Sequence, residues 1–507
     1  MIMLDYFDPS QKDLNKQQQK PSNRQSVQST KSKEKKSLHP ETSAQIKKLA
    51  GNVDPMESQK TIEQPSKDNL DWIPYLEDNK TAQDIIDFKN WDKALIPSDS
   101  LIEKDIIRTR TDLAEMRDPS VQKALREVAA FYCLSNNVEY QQGLLELIAP
   151  FLLSKKKDFN TEECYAYFNA FMRKHFPNIL TRKSADRNSQ LPHLTTALNF
   201  CELMIQYHLP EISDGLKRNM IDVRTFVTSW ILTLFIKGTP LSVVYEIFYC
   251  YLKREDKLFF FYLVAAMLAM NKKTLVKLFV NNDDNTMLNK YLNQSIKIET
   301  LRDPACVKTW FELADSLKRS TPKSFEIHLG TLGFTSDTDI SKDMMQSLLN
   351  NPKPRVNHVY PSEMVDFLLR RTQKKAVASL DREINFKIVD LRRKKEKNDQ
   401  CLPCIIDLPI TIYEDSSAIK KALKSPLKNE ANAHFCLMTT GEEDDELENK
   451  MLSTIIEYLT KNNKSYVSTL IGGFKALKFE IEKESAEAIF NRKGEGVFQK
   501  FKNLFHK

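Results

Sequence analysis

Two short polar motifs contain side chains that could act on a phosphate. In the first, Asp105 stands three residues before Arg108, and in the second Tyr140-x-Gln142 is followed by Gly143. An Asp and an Arg at i and i+3 share one helix face, where the carboxylate can hold the guanidinium in a fixed direction. A glutamine amide can position a water or a phosphate without carrying charge, and a glycine tolerates a positive φ at a helix corner. Because Asp and Arg pairs are common on solvated helices, the first motif is specific only in combination with the second.

Both motifs lie near the start of a long helical region. It opens with "NWDKALIPSDSLIEKD" and reaches about Arg371. Within it, Asp118 and Pro119 supply a helix cap and a first-turn proline. An apolar face then follows at helical spacing, formed by Val121, Leu125, Val128 and Tyr132. The pattern predicts a helix between the two motifs.

The rest of this region repeats the same helical pattern. The segments "NFCELMIQYHLPEI", "VRTFVTSWILTLFI" and "PLSVVYEIFYCYL" have similar length and period, with Pro or Gly between them, and strand signals are sparse. The longest apolar run, "LFFFYLVAAMLAM" at 258–270, is too short to cross a bilayer and predicts a buried core helix. We therefore expect an all-α domain and only peripheral membrane association.

The pattern changes after Arg371. Four stretches read as short buried strands, namely "NFKIVDLR", "CIIDLPI", "AHFCLMTTG" and "YVSTLIGG". The stretch "DDELENKMLSTIIEYLTKNN", between the last two, reads as a helix. Alternating strands and helices predict a small α/β domain with a parallel sheet.

These patterns divide the chain into five parts. Residues 1–66 are polar and cannot offset their ordering entropy by burial, so we expect a disordered tail. We assign 67–350 to the all-α domain, 351–365 to a linker and 366–480 to the α/β domain. Residues 481–507 form a basic amphipathic tail that fits a membrane surface, a partner groove or its own domain.

Composition restricts the function further. The net charge of +7 is small and dispersed over 507 residues, which argues against a nucleic-acid partner. The eight cysteines are mostly single and lie within helical patterns, which indicates reduced cytosolic thiols. Cys401 and Cys404 form the one close pair, but no second ligand pair or redox context stands nearby. We therefore predict no metal site and no cofactor. The polar start of the chain is unlike a signal peptide.

The two motifs resemble those of the TBC domain, the helical Rab GTPase-activating module, which read I-x-x-D-x-x-R and Y-x-Q-G. The resemblance implies that Arg108 is an arginine finger and Gln142 a glutamine finger, both supplied in trans to a Rab GTPase. Arg108 would neutralise charge developing on the transferring γ-phosphoryl group, and Gln142 would orient the attacking water. Asp105 and Tyr140 would brace the two fingers.

Outside the fingers, this sequence departs from the TBC pattern. The usual Phe-Pro that follows the R-T of the arginine motif is replaced, because "RTRTDL" stands there. The Trp-Asp pair of a later TBC helix is replaced by Ile247 and Phe248. These departures indicate that the Rab-docking pattern around the fingers is partly lost.

The α/β region resembles a rhodanese domain, which opens with D-x-R, then an acidic residue and a Gly-His-Ile loop. The residues in register with that opening are Asp390, Arg392, Glu396, Pro403 and Pro409. The Cys401 and Cys404 pair then occupies loop positions of the rhodanese pattern.

The catalytic loop of the rhodanese pattern is degenerate in this chain. Aligning Gly441 with the loop glycine puts Met438 at the position of the catalytic cysteine. Sulfur transfer needs a thiolate, which a thioether cannot supply. Glu443 belongs to an acidic run after the glycine, which would raise the pKa of a thiol rather than lower it. We expect no sulfurtransferase activity and a docking role for this domain.

The order of a TBC domain and a rhodanese-like domain resembles the group of TBC domain family member 23. That resemblance implies a non-enzymatic adaptor at the trans-Golgi network, which captures endosome-derived vesicles by binding golgin coiled-coil tethers. We expect no contact with the WASH complex, because the chain ends soon after the rhodanese-like region. Localisation would be cytoplasmic and peripheral, at the trans-Golgi network and on those vesicles. An active Rab GTPase-activating protein remains the alternative, since Arg108 and Gln142 are both present.

Overall fold

A computed structural model describes most of the chain from residue 72 onward. The described residues are 72–92, 100–154, 160–175, 179–180, 191–280, 285–329, 356–373, 384–392, 405–407, 417, 433–442 and 446–490. All of them belong to one compact unit, Ser66–Lys507. The predicted tail at 1–66 lies outside the described residues, as do Cys401, Cys404, Glu396, Pro403, Pro409, Glu443 and the segment 491–507.

Helices form most of the described structure up to residue 329. They are α1 Thr81–Asn90, α2 Ser100–Ile106, α3 Pro119–Ser135, α4 Leu144–Leu152, α5 Thr161–His175, α6 Pro192–His208, α7 Pro210–Arg218, α8 Arg224–Thr233, α9 Leu241–Leu252, α10 Phe259–Met270, α11 Lys272–Val280, α12 Thr286–Lys290, α13 Ile296–Thr300, α14 Pro304–Arg319 and α15 Lys323–Leu329. Short 3-10 turns lie at Ile73–Tyr75 and Ala114–Arg117, and a π-helical turn joins α12 to α13. The prediction of a helical region is confirmed.

Helix α3 begins as the sequence predicts. The carboxylate of Asp118 accepts a hydrogen bond from the backbone N–H of Ser120, and Pro119 occupies the first turn. Such a cap satisfies one of the backbone donors that a helix start leaves open. Asp303 caps α14 in the same way by accepting from the backbone N–H of Cys306.

Helix α10 lies in the centre of the helical part and is buried along nearly its whole length. It packs against α14 and α6, and the indole N–H of Trp310 donates to the carbonyl of Leu263 at 3.0 Å. The prediction of a buried core helix is confirmed.

In the described parts of the chain, no single helix is long and apolar enough to span a membrane. Helices α10 and α11, bent by 63°, together meet the length and composition of a membrane span.

A five-stranded sheet follows the helices. Its strands are β1 Asn357–Val359, β2 Phe386–Asp390, β3 Ile405–Asp407, β4 His434–Met438 and β5 Val467–Leu470. They lie in the order β1-β5-β4-β2-β3, and every described pairing is parallel. Helices α16 Pro361–Gln373, α17 Glu446–Lys461 and α18 Gly473–Phe490 accompany the sheet. Parallel strands need such crossover helices, and the predicted parallel sheet is confirmed.

Two boundaries differ from the sequence-based expectation. Strand β1 lies within 351–365, the stretch predicted as a linker, so the sheet begins earlier than expected. Three residues without an apolar run give no strand signal, and β1 exists because β5 offers it a paired edge. Helix α18 continues to Phe490, into the stretch predicted as a tail.

The sheet is joined to the helical part by buried polar contacts. Tyr207, near the end of α6, accepts a backbone hydrogen bond from Tyr466 at 2.8 Å through its carbonyl. Its hydroxyl lies 2.7 Å from Nδ1 of His434, whose ring stacks on Tyr466 with centroids 4.3 Å apart. This backbone hydrogen bond fixes the position of the end of α6 relative to the start of β5.

A second junction lies at the start of α15. The carboxylate of Glu363, on α16, accepts hydrogen bonds from the backbone N–H groups of Lys323 and Ser324, both at 2.7 Å. Glu363 therefore caps α15 from outside that helix. The hydroxyl of Ser324 in turn accepts from the backbone N–H of Tyr360 at 2.7 Å. The helical and sheet-containing parts thus share structural hydrogen bonds.

Candidate functional site

The arginine motif lies where α2 ends. The carbonyl of Asp105 accepts from the backbone N–H of Arg108 at 3.0 Å and from that of Thr109 at 2.9 Å. The Thr109 hydroxyl donates to the same carbonyl at 2.8 Å. Arg108 therefore lies in the turn beyond Ile106, the last residue of α2, whereas the sequence predicts Asp105 and Arg108 on one helix face. The Arg108 side chain is exposed to solvent, while Ile102 and Ile106 of α2 are buried.

The glutamine motif forms the turn that starts α4. Gly143 precedes the helix with a φ of 104°, in the left-handed region, and the Leu144 N–H bonds to the Gln141 carbonyl at 3.1 Å. A Cβ at Gly143 would also lie 3.1 Å from Cγ2 of Thr233. Only glycine can adopt this positive φ and also avoid the close contact with Thr233 without strain. The turn leaves the Gln142 side chain exposed.

A hydrogen bond joins the two motifs. The Tyr140 hydroxyl donates to Oδ2 of Asp105 at 2.9 Å, although the two residues are 35 positions apart. This contact brings together the segments that carry Arg108 and Gln142. Both predicted fingers thus stand exposed on segments that touch each other.

A small surface hollow adjoins the glutamine motif. The residues that line it are Gln141, Gln142, Leu144, Leu147, Met172, Ile179, Leu180, Ile231 and Leu232. Seven of these nine side chains are apolar, so the hollow borders the exposed amide of Gln142 with apolar surface.

Arg110 is directed inward, two residues after Arg108. Its φ of 49° turns the chain, and only 3% of its surface is exposed. One guanidinium nitrogen, Nη1, donates to the carbonyls of Ile236 at 3.1 Å and Thr239 at 2.6 Å. These carbonyls belong to the connection between α8 and α9. Arg110 is thus a buried charge within the turn that follows Arg108.

Two further buried ionisable groups, Glu146 and Lys297, lie on other elements, and Arg110 interacts electrostatically with Glu146. Burial raises the pKa of Glu146, on α4, and the charge of Arg110 opposes that rise. Burial also lowers the pKa of Lys297 to about 8, with Lys237 adding to the shift and Glu146 opposing it. The Lys297 ammonium donates to the carbonyl of Lys237 at 2.9 Å. Sequence reasoning missed this cluster, and its one signal was a glutamate inside the apolar run "LLELIAPFLL".

Backbone hydrogen bonds from α18 hold the loop that the sequence predicts to be rhodanese-like. Met438 and Cys436 are buried, and burial raises the pKa of the Cys436 thiol to about 12. The first N–H groups of α18 donate to loop carbonyls, from Phe474 to Thr439 at 2.8 Å and from Lys475 to Thr440 at 3.0 Å. The donors that open a helix are thereby used internally.

Glycines allow this close approach. Gly441 has a φ of 96°, and a Cβ there would lie 2.1 Å from the carbonyl oxygen of Gly472. Thr440 donates to the Glu448 carboxylate through its N–H at 2.9 Å and its hydroxyl at 2.7 Å. The loop after β4 is therefore held against the start of α18 and against α17.

The predicted Asp390 and Arg392 pair forms a buried ion pair of 2.9 Å. The Arg392 guanidinium lies 3.7 Å from the centroid of the Phe474 ring, in a cation-π contact. The pair thus links the end of β2 to the start of α18. Across the residues with described positions, no group of three or more His, Cys, Asp or Glu side chains could hold a metal ion.

Comparison with known proteins finds a family match within the helical region. The family model of the Rab-GTPase-TBC domain matches residues 68–276. The human ecotropic viral integration site 5 protein homolog is 27% identical over 189 residues, which are 37% of this chain and 22% of that protein. The human TBC domain-containing protein kinase-like protein is 29% identical over 154 residues, 30% of this chain and 16% of that protein. The chain spans about a fifth of the length of these relatives.

Two solved structures are also similar. The crystal structure of the Ypt/Rab-GAP domain of Gyp1p has a TM-score of 0.38 and 13% identity, and the match covers 48% of this chain and 79% of that one. The Chlamydomonas flagellar RabGAP TBC domain has a TM-score of 0.34 and 15% identity, covering 46% and 71%.

Proposed function

Because residues 68–276 match the Rab-GTPase-TBC domain, we propose that this protein accelerates GTP hydrolysis by a Rab GTPase. Arg108 and Gln142 are the residues to which we assign this activity. The observation that carries the proposal is the Tyr140 to Asp105 hydrogen bond of 2.9 Å, which joins two segments that each expose one finger.

The chemistry asked of this chain is electrostatic and positional. The GTPase supplies the nucleotide and its magnesium ion, and the chain inserts Arg108 beside the γ-phosphate. The guanidinium would offset negative charge that develops as the phosphoryl group transfers, which is worth about 10³ to 10⁵ in rate. The Gln142 amide would hold the attacking water through one donor and one acceptor. The exposure of both side chains supports this role, because a buried finger cannot enter a partner.

The test is GTP hydrolysis across a panel of Rab GTPases with the full chain. We expect stimulation of at least one Rab and a loss of about 10³-fold or more in Arg108→Ala. Gln142→Ala should also lose activity. Arg218→Ala serves as the control, because Arg218 is exposed and pairs with Asp214 at 2.8 Å on α7, away from the motifs. Hydrolysis at the intrinsic rate for every Rab would refute the proposal.

A second role, as a Golgi adaptor, is favoured by the sheet-containing part. We propose that it is a rhodanese-like domain of the kind found in the group of TBC domain family member 23, with residues 366–480 as its extent. The buried Met438 and Cys436 and the internally bonded start of α18 support docking rather than sulfur transfer. Its partners would be golgin tethers, bound peripherally at the trans-Golgi network. An adaptor can also activate the GTPase that it meets.

Binding to golgins is measured separately from GTP hydrolysis. Purified golgin end fragments are immobilised, and retention of the full chain is measured for the native sequence and for Arg108→Ala. The adaptor role predicts equal retention of both, since docking does not need the finger. No retention on any golgin fragment would exclude this role and leave the GTPase-activating role intact.

A further inference from the structure

Arg110 is a buried arginine at the position where the TBC pattern usually has an aromatic residue. Arginine is seldom buried without a partner, because removing its charge from water is costly. By sequence, the substitution suggests a weakened docking surface for the GTPase. The structure instead directs Arg110 into the protein, two residues after the exposed Arg108.

The backbone conformation at Arg110 allows its side chain to point inward although that of Arg108 is exposed. Its left-handed φ of 49° lets the chain turn, and its carbonyl accepts from the N–H of Leu113 at 2.9 Å. Nη1 then bonds to the carbonyls of Ile236 and Thr239. Hydrogen bonds from a charged donor are roughly twice as strong as neutral ones. The loop that carries Arg108 is thereby attached to the connection between α8 and α9.

Glu146 is a buried carboxyl group in the helix that follows the other finger. It lies four residues after Gln142, in the first turn of α4, and is buried; burial raises its pKa, and the positive charge of Arg110 opposes that rise. Among the described residues, Oε2 of Glu146 and the Nε and Nη2 of Arg110 have no hydrogen-bond partner. The two side chains are therefore related by charge and not by a described hydrogen bond.

We propose that Arg110, with Glu146 as its buried counter-charge, is a positioning residue that sets the place of Arg108 relative to Gln142. Tyr140 joins the two finger segments through Asp105. Arg110 attaches the segment of Arg108 to the connection that follows Thr233, the residue whose side chain faces Gly143. The inference rests on the proposed GTPase-activating function. A displacement of about 1 Å in a catalytic group can lower a rate by about 100-fold. A buried anchor of this kind limits such displacement.

The experiment uses the full chain with the Rab that it stimulates most. Arg110→Met keeps a long side chain but removes the charge and both hydrogen bonds. We expect kcat to fall by about tenfold or more with KM little changed, because the docking surface is untouched. Arg110→Lys, which keeps the charge, should recover part of the loss. Arg218→Met, which removes an exposed Arg and Asp pair, should keep the native rate.

Glu146→Gln tests the counter-charge. If Arg110 and Glu146 act as one unit, the double variant should lose less activity than the product of the two single losses. Fully multiplicative losses would overturn the coupling. Native kcat in Arg110→Met would overturn the inference while the proposed function stands.

Amide hydrogen exchange separates this inference from the proposed function and from misfolding. In Arg110→Met, exchange should rise at residues 107–113 and 139–143 and stay native in the buried helix α10. Unchanged exchange in both loops overturns the inference, whatever the activity. If the native chain stimulates no Rab, the proposed function fails, and the positioning role in catalysis fails with it, while raised exchange would still identify Arg110 as the anchor of the loop.

Discussion

The hydroxyl of Tyr140 donates a hydrogen bond to the carboxylate of Asp105 at 2.9 Å. Each residue belongs to a different motif, and each motif exposes one polar side chain, Arg108 or Gln142. The bond is half-buried, so water competes with it less than at an open surface. This contact directly joins the two segments that carry Arg108 and Gln142.

Tyr140→Phe should weaken that link while keeping the ring. Loss of the hydroxyl leaves a half-buried carboxylate with one donor fewer, which costs about 1 to 3 kcal/mol. We expect a loss of stability in this range and a lower kcat for Rab-stimulated hydrolysis. Urea unfolding and single-turnover kinetics measure the two effects. Tyr249→Phe, which removes an exposed contact to Lys253, is the control and should change neither. A Tyr140→Phe protein with native kcat would show that the link is not needed.

Gly143→Ala should destabilise the protein through both backbone strain and a steric contact. Gly143 has a φ of 104° and approaches Thr233, whereas Gly238 has a φ of 73° and open space where a Cβ would stand. A side chain in the left-handed region costs about 1 to 2 kcal/mol. Gly238→Ala should show only this cost, and Gly143→Ala should exceed it. Thermal unfolding of both variants checks the order, and equal losses would contradict the steric part.

Cys436 should resist alkylation in the folded protein. It is fully buried on β4, and burial raises its pKa to about 12, so little thiolate forms near neutral pH. Cys306, which is partly exposed at the start of α14, should react before Cys436. Iodoacetamide labelling followed by peptide mass spectrometry, with and without denaturant, gives the two rates. Rapid labelling of Cys436 in the native chain would contradict the closed loop.

The contact between helices and sheet should lose stability in acid. Burial lowers the pKa of His434 to about 4 from an ordinary value near 6.5. Because the unfolded state binds the proton first, the stabilising contribution is complete above pH 6.5 and is lost as the pH falls toward 4. The total is up to about 3 kcal/mol for this group. Urea unfolding at several pH values should give a shallower acid slope for His434→Gln than for the native chain.

Tyr207→Phe provides the matched control for that slope. It removes the hydroxyl that lies 2.7 Å from Nδ1 of His434 but leaves the buried imidazole in place. We expect lower stability at every pH and a retained acid slope. A native slope in His434→Gln would mean that other buried groups, such as His208, account for the acid loss.

Much of the architecture was predictable because local patterns set it. Asp118 and Pro119 mark the start of α3, and the apolar run of α10 is buried as its length and composition indicate. Four strands and α17 follow runs with a clear period. Strand β1 was not predicted because three residues are too few to show a period. Its pairing with β5 joins segments more than a hundred residues apart.

The sequence by itself determined the helical fold and the parallel sheet, because residue spacing and apolar periodicity act over a few turns of chain. Tertiary structure alone decided that Tyr140 meets Asp105 and that Arg110 lies inside, since both depend on contacts across large sequence separations. An arginine after the finger looked like a lost docking residue. A left-handed turn and distant carbonyls make it an internal anchor, because a buried guanidinium must find its acceptors wherever the fold brings them.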